Sequence, residues 1–468
     1  MTDIDIHFGT DGWRAVIADD FTFANLRRVA DAAGHVFSTD HPGGTVLVGY
    51  DTRFEAASFA ASAARVLASH GLKVLVSDRS LPTPALSWKA ARCEAIGAVM
   101  LTASHNPAEY LGFKLKMADG GSAPPAFTAR VEDALPVHDI GAELDGPFET
   151  VNLVADYLEA LRAFVDEDAI VKAGLRVVVD PLYGAGQGFL ATVLRGLGVD
   201  AVELHSEVNP SFGGLHPEPI PPHVDELCHE VVSTGRDAGF ATDGDADRIG
   251  AADSAGGFVN PHRIFALVIR HLVEDRGMTG AVVKTLSTSV LVDRISRHLG
   301  LEVRTTAVGF KNIYEEMLGG GVLIGGEESG GIGIPDHVLE RDGLLMALLL
   351  TEMMAVRGKG LGELVEELFE VTGPMEYRRV DLRLEPDVMD AFRASLPTLS
   401  SELLAGRAVQ STLRIDGVKF LLPDDAWLLL RASGTEPLVR VYAEATTMAE
   451  VDELILGGED LVMRGGAQ

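Results

Sequence analysis

Cysteine is almost absent: Cys93 and Cys228 are the two in 468 residues. They stand far apart with no C-x-x-C spacing. Neither a disulfide framework nor a thiolate metal site is expected, and both read as small buried hydrophobes. Positive charge is also scarce. Lys and Arg number 39 against 69 Asp and Glu, a formal net charge of −30. Nucleic acid and anionic membrane surfaces both need clustered positive charge, so neither is expected as a partner. Within the cations lysine is the rare one, nine against 30 arginines. That draws attention to Lys114 and Lys311, each expected in a glycine-flanked turn. A long apolar run is missing too. The greasiest stretch, residues 344–356, is interrupted by Thr351 and Glu352 and is too short to span a bilayer. The beginning, Met1-Thr2-Asp3-Ile4-Asp5-Ile6, has neither the basic nor the apolar part of a signal peptide. A cytoplasmic protein is expected.

What is present is glycine, 51 residues of it, and an apolar fraction of 47%. That is ordinary globular composition, with length for three or four domains. Strand-like runs at 45–50, 73–77, 175–180 and 281–285 alternate with helical patterns such as 56–69 and 291–299. This reads as βαβ units and parallel or mixed sheets. Residues 153–164 carry apolar side chains at helical spacing and are expected to form a helix linking the first two domains. From about residue 372 the pattern changes to alternating strands at 377–384 and 427–431, expected of a smaller α+β domain. The expected division is 1–167, 168–276, 277–371 and 372–468.

Each quarter carries one polar, glycine-bearing loop. The first is Thr102-Ala103-Ser104-His105-Asn106-Pro107, a hydroxyl on a turn after an apolar strand, with Gly112-Phe113-Lys114 close behind. A turn serine is the plainer reading; a hydroxyl that carries a covalent group is the sharper one. Lys114 has the chemistry to neutralise a phosphate or to move a proton. Earlier still, Arg14 follows Gly12.

The second loop, Asp243-Gly244-Asp245-Ala246-Asp247-Arg248, gathers three carboxylates at alternate positions. Like charges in a small volume repel unless a hard cation joins them, and all-oxygen ligation suits Mg²⁺. An EF-hand fails on spacing, because position six is Arg248 and position twelve is Ser254. Arg248 adds a fork for phosphate oxygens. The third loop, Gly325-Gly326-Glu327-Glu328-Ser329-Gly330-Gly331, offers acceptors for sugar hydroxyls. Lys311 precedes it, and His337 and Arg341-Asp342-Gly343 follow. The fourth, Arg431-Ala432-Ser433-Gly434-Thr435-Glu436-Pro437 with Arg440 beyond, reads as an anion cradle. The glycines of Gly184-Ala185-Gly186-Gln187-Gly188 resemble a dinucleotide turn, but Phe189 occupies the place of the third glycine, so a tight strand-to-helix turn is expected instead.

Four such loops in this order resemble the α-D-phosphohexomutase family, the phosphoglucomutases and phosphomannomutases, over nearly the whole chain. The resemblance implies four domains around a central cleft, three similar α/β domains with mixed sheets and a smaller C-terminal domain. It implies that Ser104 is the phosphorylated serine, with Asp243, Asp245 and Asp247 holding Mg²⁺ against its phosphate. Glu327 and Ser329 would bind sugar hydroxyls. Arg431, Ser433, Gly434 and Thr435 would grip the phosphate that is not transferred. Lys114, His105 and His337 are the candidates for proton transfer, and Arg14, Lys311, Arg248 and Arg440 complete the expected site. Leu111 stands where the family often has asparagine, a departure that touches one polar contact and leaves Lys114 in place. The expected substrate is a hexose phosphate, with glucose 1,6-bisphosphate as intermediate and activator. Glu328 and Gly331 resemble the glucose and glucose/mannose enzymes, where the glucosamine branch tends to carry Gln and His. Phosphoglucomutase is expected first and phosphomannomutase second. A sugar-phosphate hydrolase or sensor is the alternative outside the mutases.

Overall fold

The structure, a computed structural model, describes residues 6–9, 12–136, 144–433 and 437–465. Its first sheet runs in the order Trp13–Val16, Tyr110–Met117, Ala95–Leu101, Thr45–Tyr50, Lys73–Ser77, Glu149–Val151. The last four strands are parallel, and the first two are antiparallel additions at one edge. The second sheet repeats the device. Asp200–Glu203, Arg176–Asp180 and Ala238–Thr242 are parallel, and Ile249–Asp253 returns antiparallel beside the last. The third is a shorter copy: Val303–Thr306, Ala281–Thr285 and Val322–Gly326 are parallel, and Ile332–Gly333 turns back. The fourth sheet, Glu376–Arg383, Leu438–Ala445, Trp427–Ala432, Val418–Leu421 and Ser411–Leu413, is antiparallel throughout. Three α/β units with mixed sheets thus precede a different C-terminal one.

The repeated device decides where chemistry sits. In each of the first three sheets a parallel strand ends, a short loop follows, and the next strand pairs back on it. Those loops leave the carboxyl ends of Ala95–Leu101, Ala238–Thr242 and Val322–Gly326, the edge at which open α/β sheets bind ligands. They are the loops of Ser104, of the three aspartates, and of Glu327.

The first three units share apolar material. One continuous cluster runs from Leu47 and Met100 through Phe240 and Ile249 to Ile324 and Leu348. At its centre lies the helix Gly343–Arg357, whose residues from Gly343 to Met354 are all buried. It is apolar on nearly every side because it is packed on every side, with Thr351 and Glu352 as buried polar exceptions. Each of its buried leucines is worth roughly 2 kcal/mol. Asp342 caps it, accepting from the Leu345 amide at 2.9 Å. No described helix is long and apolar enough to cross a membrane.

The C-terminal sheet keeps its own core, including Phe392, Leu428, Leu430, Val441 and Leu454. It meets the third unit through a small patch of Leu286, Trp427, Leu429 and Tyr442. The run Trp427–Leu430 at the start of the strand Trp427–Ala432 is apolar without interruption for this reason. Leu428 and Leu430 face its own helix, while Trp427 and Leu429 face the neighbouring unit. Cys93 and Cys228 are free thiols, and both are half-buried rather than buried as expected.

Candidate active site

Ser104 is buried and takes a left-handed backbone, φ 53°. That conformation is uncommon for a non-glycine residue and clusters where a fold holds a side chain for use. Its amide donates to Thr102 Oγ1 at 2.9 Å, and its hydroxyl donates to Asp243 Oδ2 at 2.8 Å. The two loops touch so closely that a Cβ on Gly244 would lie 2.4 Å from the Ser104 carbonyl oxygen. Only glycine fits there.

Asp243, Asp245 and Asp247 are fully buried, and each offers a carboxylate oxygen within 4.8 Å of the others. Asp243 Oδ1 accepts from the amides of Asp247 and Arg248 at 3.0 and 3.1 Å. Asp245 Oδ2 accepts from Thr83 Oγ1 at 2.6 Å and Lys114 Nζ at 3.0 Å. Asp245 Oδ1 and Asp247 Oδ1 have no hydrogen-bond partner. Burial and the neighbouring aspartates push the Asp243 carboxyl well above the usual range. Burial also lifts Asp247, against the pull of Arg341. At Asp245 burial is outweighed by Lys114 and Thr83, which hold it below that range. A buried, oxygen-only cluster with unused lone pairs fits a divalent cation.

The glycine turn after Arg176–Asp180 serves this loop rather than a dinucleotide. Ala185 N donates to Gly244 O at 2.9 Å, and a Cβ on Gly184 would lie 2.8 Å from the Asp243 carbonyl.

The Glu327 loop closes on the aspartate loop from the other side. Ile249 N donates to Gly330 O at 3.2 Å, and Arg248 pairs with Gly331. Arg341 ties the two together: its Nη2 is 2.7 Å from Asp247 Oδ2 and its Nη1 is 3.4 Å from Glu327 Oε2. Burial pushes Glu327 up to about 7, opposed by Arg341. Glu328 turns the other way, accepting from Ser287 Oγ at 2.6 Å. Ser329 stands half-buried on the same turn.

One cavity joins these parts. Arg14, His105, Arg248, Lys311, Glu327, Arg341, Arg431 and Arg440 all line it. It gathers six cationic side chains against one carboxylate in a strongly acidic protein. Arg14 donates to Asn106 Oδ1 at 2.6 Å. His105 is held well below the usual imidazole range by burial and by the charges of Arg248 and Arg14. On the far wall Arg431 and Arg440 are cross-strand partners. Arg431 Nε donates to Asp416 Oδ2 at 2.8 Å, and the same oxygen accepts from Val308 N at 3.1 Å. The C-terminal arginine is thereby tied to the segment leading into the Lys311 helix, Phe310–Leu318. Ser433 is buried beside them; Gly434 and Thr435 lie outside the described residues.

Two sequence expectations are corrected by the placement of side chains. Lys114 lies within the strand Tyr110–Met117, fully buried, and not on a turn. Its ammonium reaches Asp245 because strand alternation sends it to that face. His337 is not brought to the cavity. Its Nε2 lies 3.0 Å from Asp342 Oδ2, and its ring packs against Tyr157 and Phe164. Asp342, which also accepts from the Tyr157 hydroxyl at 2.9 Å, holds it there. Leu111, the departure noted above, is fully buried in the core of the first unit. Sequence reasoning missed Thr83, Arg341 and Arg379. Arg341 sat in a motif already noticed; Thr83 lies between two prolines, a polar residue where a helix begins. Arg379 shares a strand face with Asp381, 3.0 Å away, and its charge reaches His105.

Comparison with known proteins matches this architecture along its length. Models of the phosphoglucomutase/phosphomannomutase alpha/beta/alpha domains I, II and III match residues 5–138, 155–256 and 260–372, and the C-terminal domain model matches 385–455. A phosphoglucomutase/phosphomannomutase of Thermococcus kodakarensis is 33% identical over 96% of each chain. A phosphoglucosamine mutase of Frankia casuarinae is 35% identical over 94% of each. A solved structure from Thermus thermophilus, provisionally described as a phosphomannomutase, superposes with a TM-score of 0.89 at 39% identity, covering 98% of this chain and all of that one. The chain belongs to the phosphoglucomutase/phosphomannomutase family and is an intramolecular phosphotransferase.

Proposed function

We propose that this enzyme interconverts glucose 1-phosphate and glucose 6-phosphate, with Ser104 carrying the phosphoryl group and glucose 1,6-bisphosphate as intermediate and activator. The observation that carries the reading is the Ser104 hydroxyl, 2.8 Å from one of three buried aspartates, with the next residues along each loop, His105 and Arg248, lining one cavity with Arg431 and Arg440. An intermediate with a phosphate at each end needs both sets of groups.

Asp243, Asp245 and Asp247 are the residues that would hold Mg²⁺ beside Ser104. When bound, the ion supplies positive charge to the phosphoryl oxygens. Arg248 and Arg14 add to that charge, since phosphoryl transfer depends mainly on position and electrostatics. The Oγ–P bond of phosphoserine breaks as the phosphorus joins a sugar hydroxyl oxygen. The hydroxyl proton leaves to a base, for which His105, held neutral at the cavity wall, is the candidate, and the departing Ser104 oxygen takes a proton from an acid, for which the Lys114 ammonium is the candidate. Glu327 and Ser329 meet sugar hydroxyls. Arg431, Ser433 and Arg440, with Gly434 and Thr435, hold the phosphate that stays, and Lys311 lines the same cavity. The intermediate then turns over, and Ser104 recovers the second phosphate.

The Thermococcus relative carries both names, which favours activity on mannose phosphates as the second reading. The test is kcat/KM for the 1-phosphates of glucose, mannose and glucosamine, with inorganic phosphate followed in parallel. Glucose is expected to lead mannose, and glucosamine to trail. Glucosamine in front would overturn the substrate assignment. Phosphate release exceeding isomerisation would make the enzyme a hydrolase.

A further inference from the structure

Arg53 lies just past the strand Thr45–Tyr50, beside the strand that delivers Ser104, and is 3% exposed. Its guanidinium spends every N–H it has. Nη2 donates to the carbonyls of Ser104 and Asn106 at 2.7 and 2.6 Å. Nη1 donates to those of Pro107 and Tyr110 at 2.6 and 2.9 Å. Nε donates to Asp51 Oδ2 at 3.1 Å, and Asp51 is itself buried. The second unit supplies the floor, since Phe212 lies 4.9 Å beneath the guanidinium.

Four backbone carbonyls converging on one cation is not a surface ion pair. It fixes the curvature of the turn from Ser104 to Tyr110 by its carbonyls, with Ser104 in a left-handed conformation. The Ser104 carbonyl is gripped by Arg53 on one side and faces Gly244 on the other. A fixed carbonyl fixes the peptide plane, and with it the direction of Oγ toward Asp243.

We infer that Arg53 is a positioning residue for phosphoryl transfer, setting the Ser104 hydroxyl in line without touching the substrate. The inference rests on the mutase reading above. Lysine cannot replace it, because a single ammonium with three donors cannot span four carbonyls served by two nitrogens.

The test is steady-state kinetics of Arg53→Lys with glucose 1-phosphate at saturating glucose 1,6-bisphosphate. A misplaced nucleophile is expected to lower kcat roughly 100-fold while KM stays within about threefold. Phe212→Leu, which keeps all five donors and loosens their floor, is expected to lower kcat about fivefold with the same split. Kinetics of Arg53→Lys within threefold of wild type would overturn the inference, as would a KM that rises in step with the loss. Unchanged kcat in Phe212→Leu would count against it equally. Wild-type turnover, measured alongside, separates the two claims. If wild type does not isomerise the sugar phosphate, the mutase reading fails; if it does and Arg53→Lys matches it, only this inference fails.

Discussion

The first three units and the C-terminal unit are built on opposite terms. The three share one apolar cluster, and their loops interlock backbone to backbone: Gly244 on the Ser104 carbonyl, Gly330 on Ile249. The fourth keeps a separate core and docks through a small apolar patch and a set of polar contacts. Glu444 accepts from Ser289 Oγ, from Val290 N at 2.9 Å and from Trp427 Nε1 at 2.5 Å. Lys419 donates to Leu286 O at 2.7 Å. The lesson is a division of labour. The groups proposed to make and break bonds sit on fused units. Those proposed to hold the far phosphate sit on the unit with its own core and a smaller contact with the rest.

The sharpest break in this comparison comes from the fused side. Asp245→Ala removes the carboxylate shared by Lys114, Thr83 and the proposed metal, and is expected to lower kcat about 10³-fold. Steady-state assays with added Mg²⁺ check it; a rise in KM alone would move this loop to the binding side. Next comes Glu327. Its carboxyl is lifted from 4.5 to about 7, so the fold favours the protonated form. The stability this contributes is complete below pH 4.5 and is lost as pH rises to about 7, a change of about 3 kcal/mol. Urea midpoints across that window should fall in wild type relative to Glu327→Gln, whose amide does not titrate.

The seam is expected to respond more mildly. Glu444→Ala leaves three donors without their acceptor and is expected to cost about 2 kcal/mol. Scanning calorimetry should then resolve the C-terminal unit as a separate, earlier transition. A single transition shifted as a whole would mean the fourth unit is fused like the others. Smallest is Arg431→Ala, with Arg440 and Ser433 still present. It is expected to raise KM about tenfold and leave kcat within a fewfold.

Much of this was legible in the sequence, for identifiable reasons. The strands at 45–50, 73–77 and 281–285 announce themselves by β-branched runs, and the structure places strands there. The central helix announces itself less well, because a helix buried on all sides has no polar face to reveal its period. The loops of Ser104, Asp243 and Glu327 stand out because hydroxyls and carboxylates among glycines are locally unusual. What the sequence hid depends on tertiary neighbours. Arg53 looks like any arginine after a strand until four carbonyls close on it. His337 looks like a site residue because its sequence neighbours are polar, and only the fold shows it enclosed by Asp342, Tyr157 and Phe164. Thr83 reaches Asp245 across 162 positions of chain, which no local pattern records.

The central claim is that Ser104 carries the phosphoryl group. Its most direct test is to mix wild-type enzyme and Ser104→Ala with glucose 1,6-bisphosphate and Mg²⁺, and to locate phosphate by peptide mass spectrometry while assaying isomerisation. Phosphate on Ser104 in wild type, with isomerisation reduced by several orders of magnitude in Ser104→Ala, is the predicted result. A Ser104→Ala enzyme that turns over near the wild-type rate would contradict it.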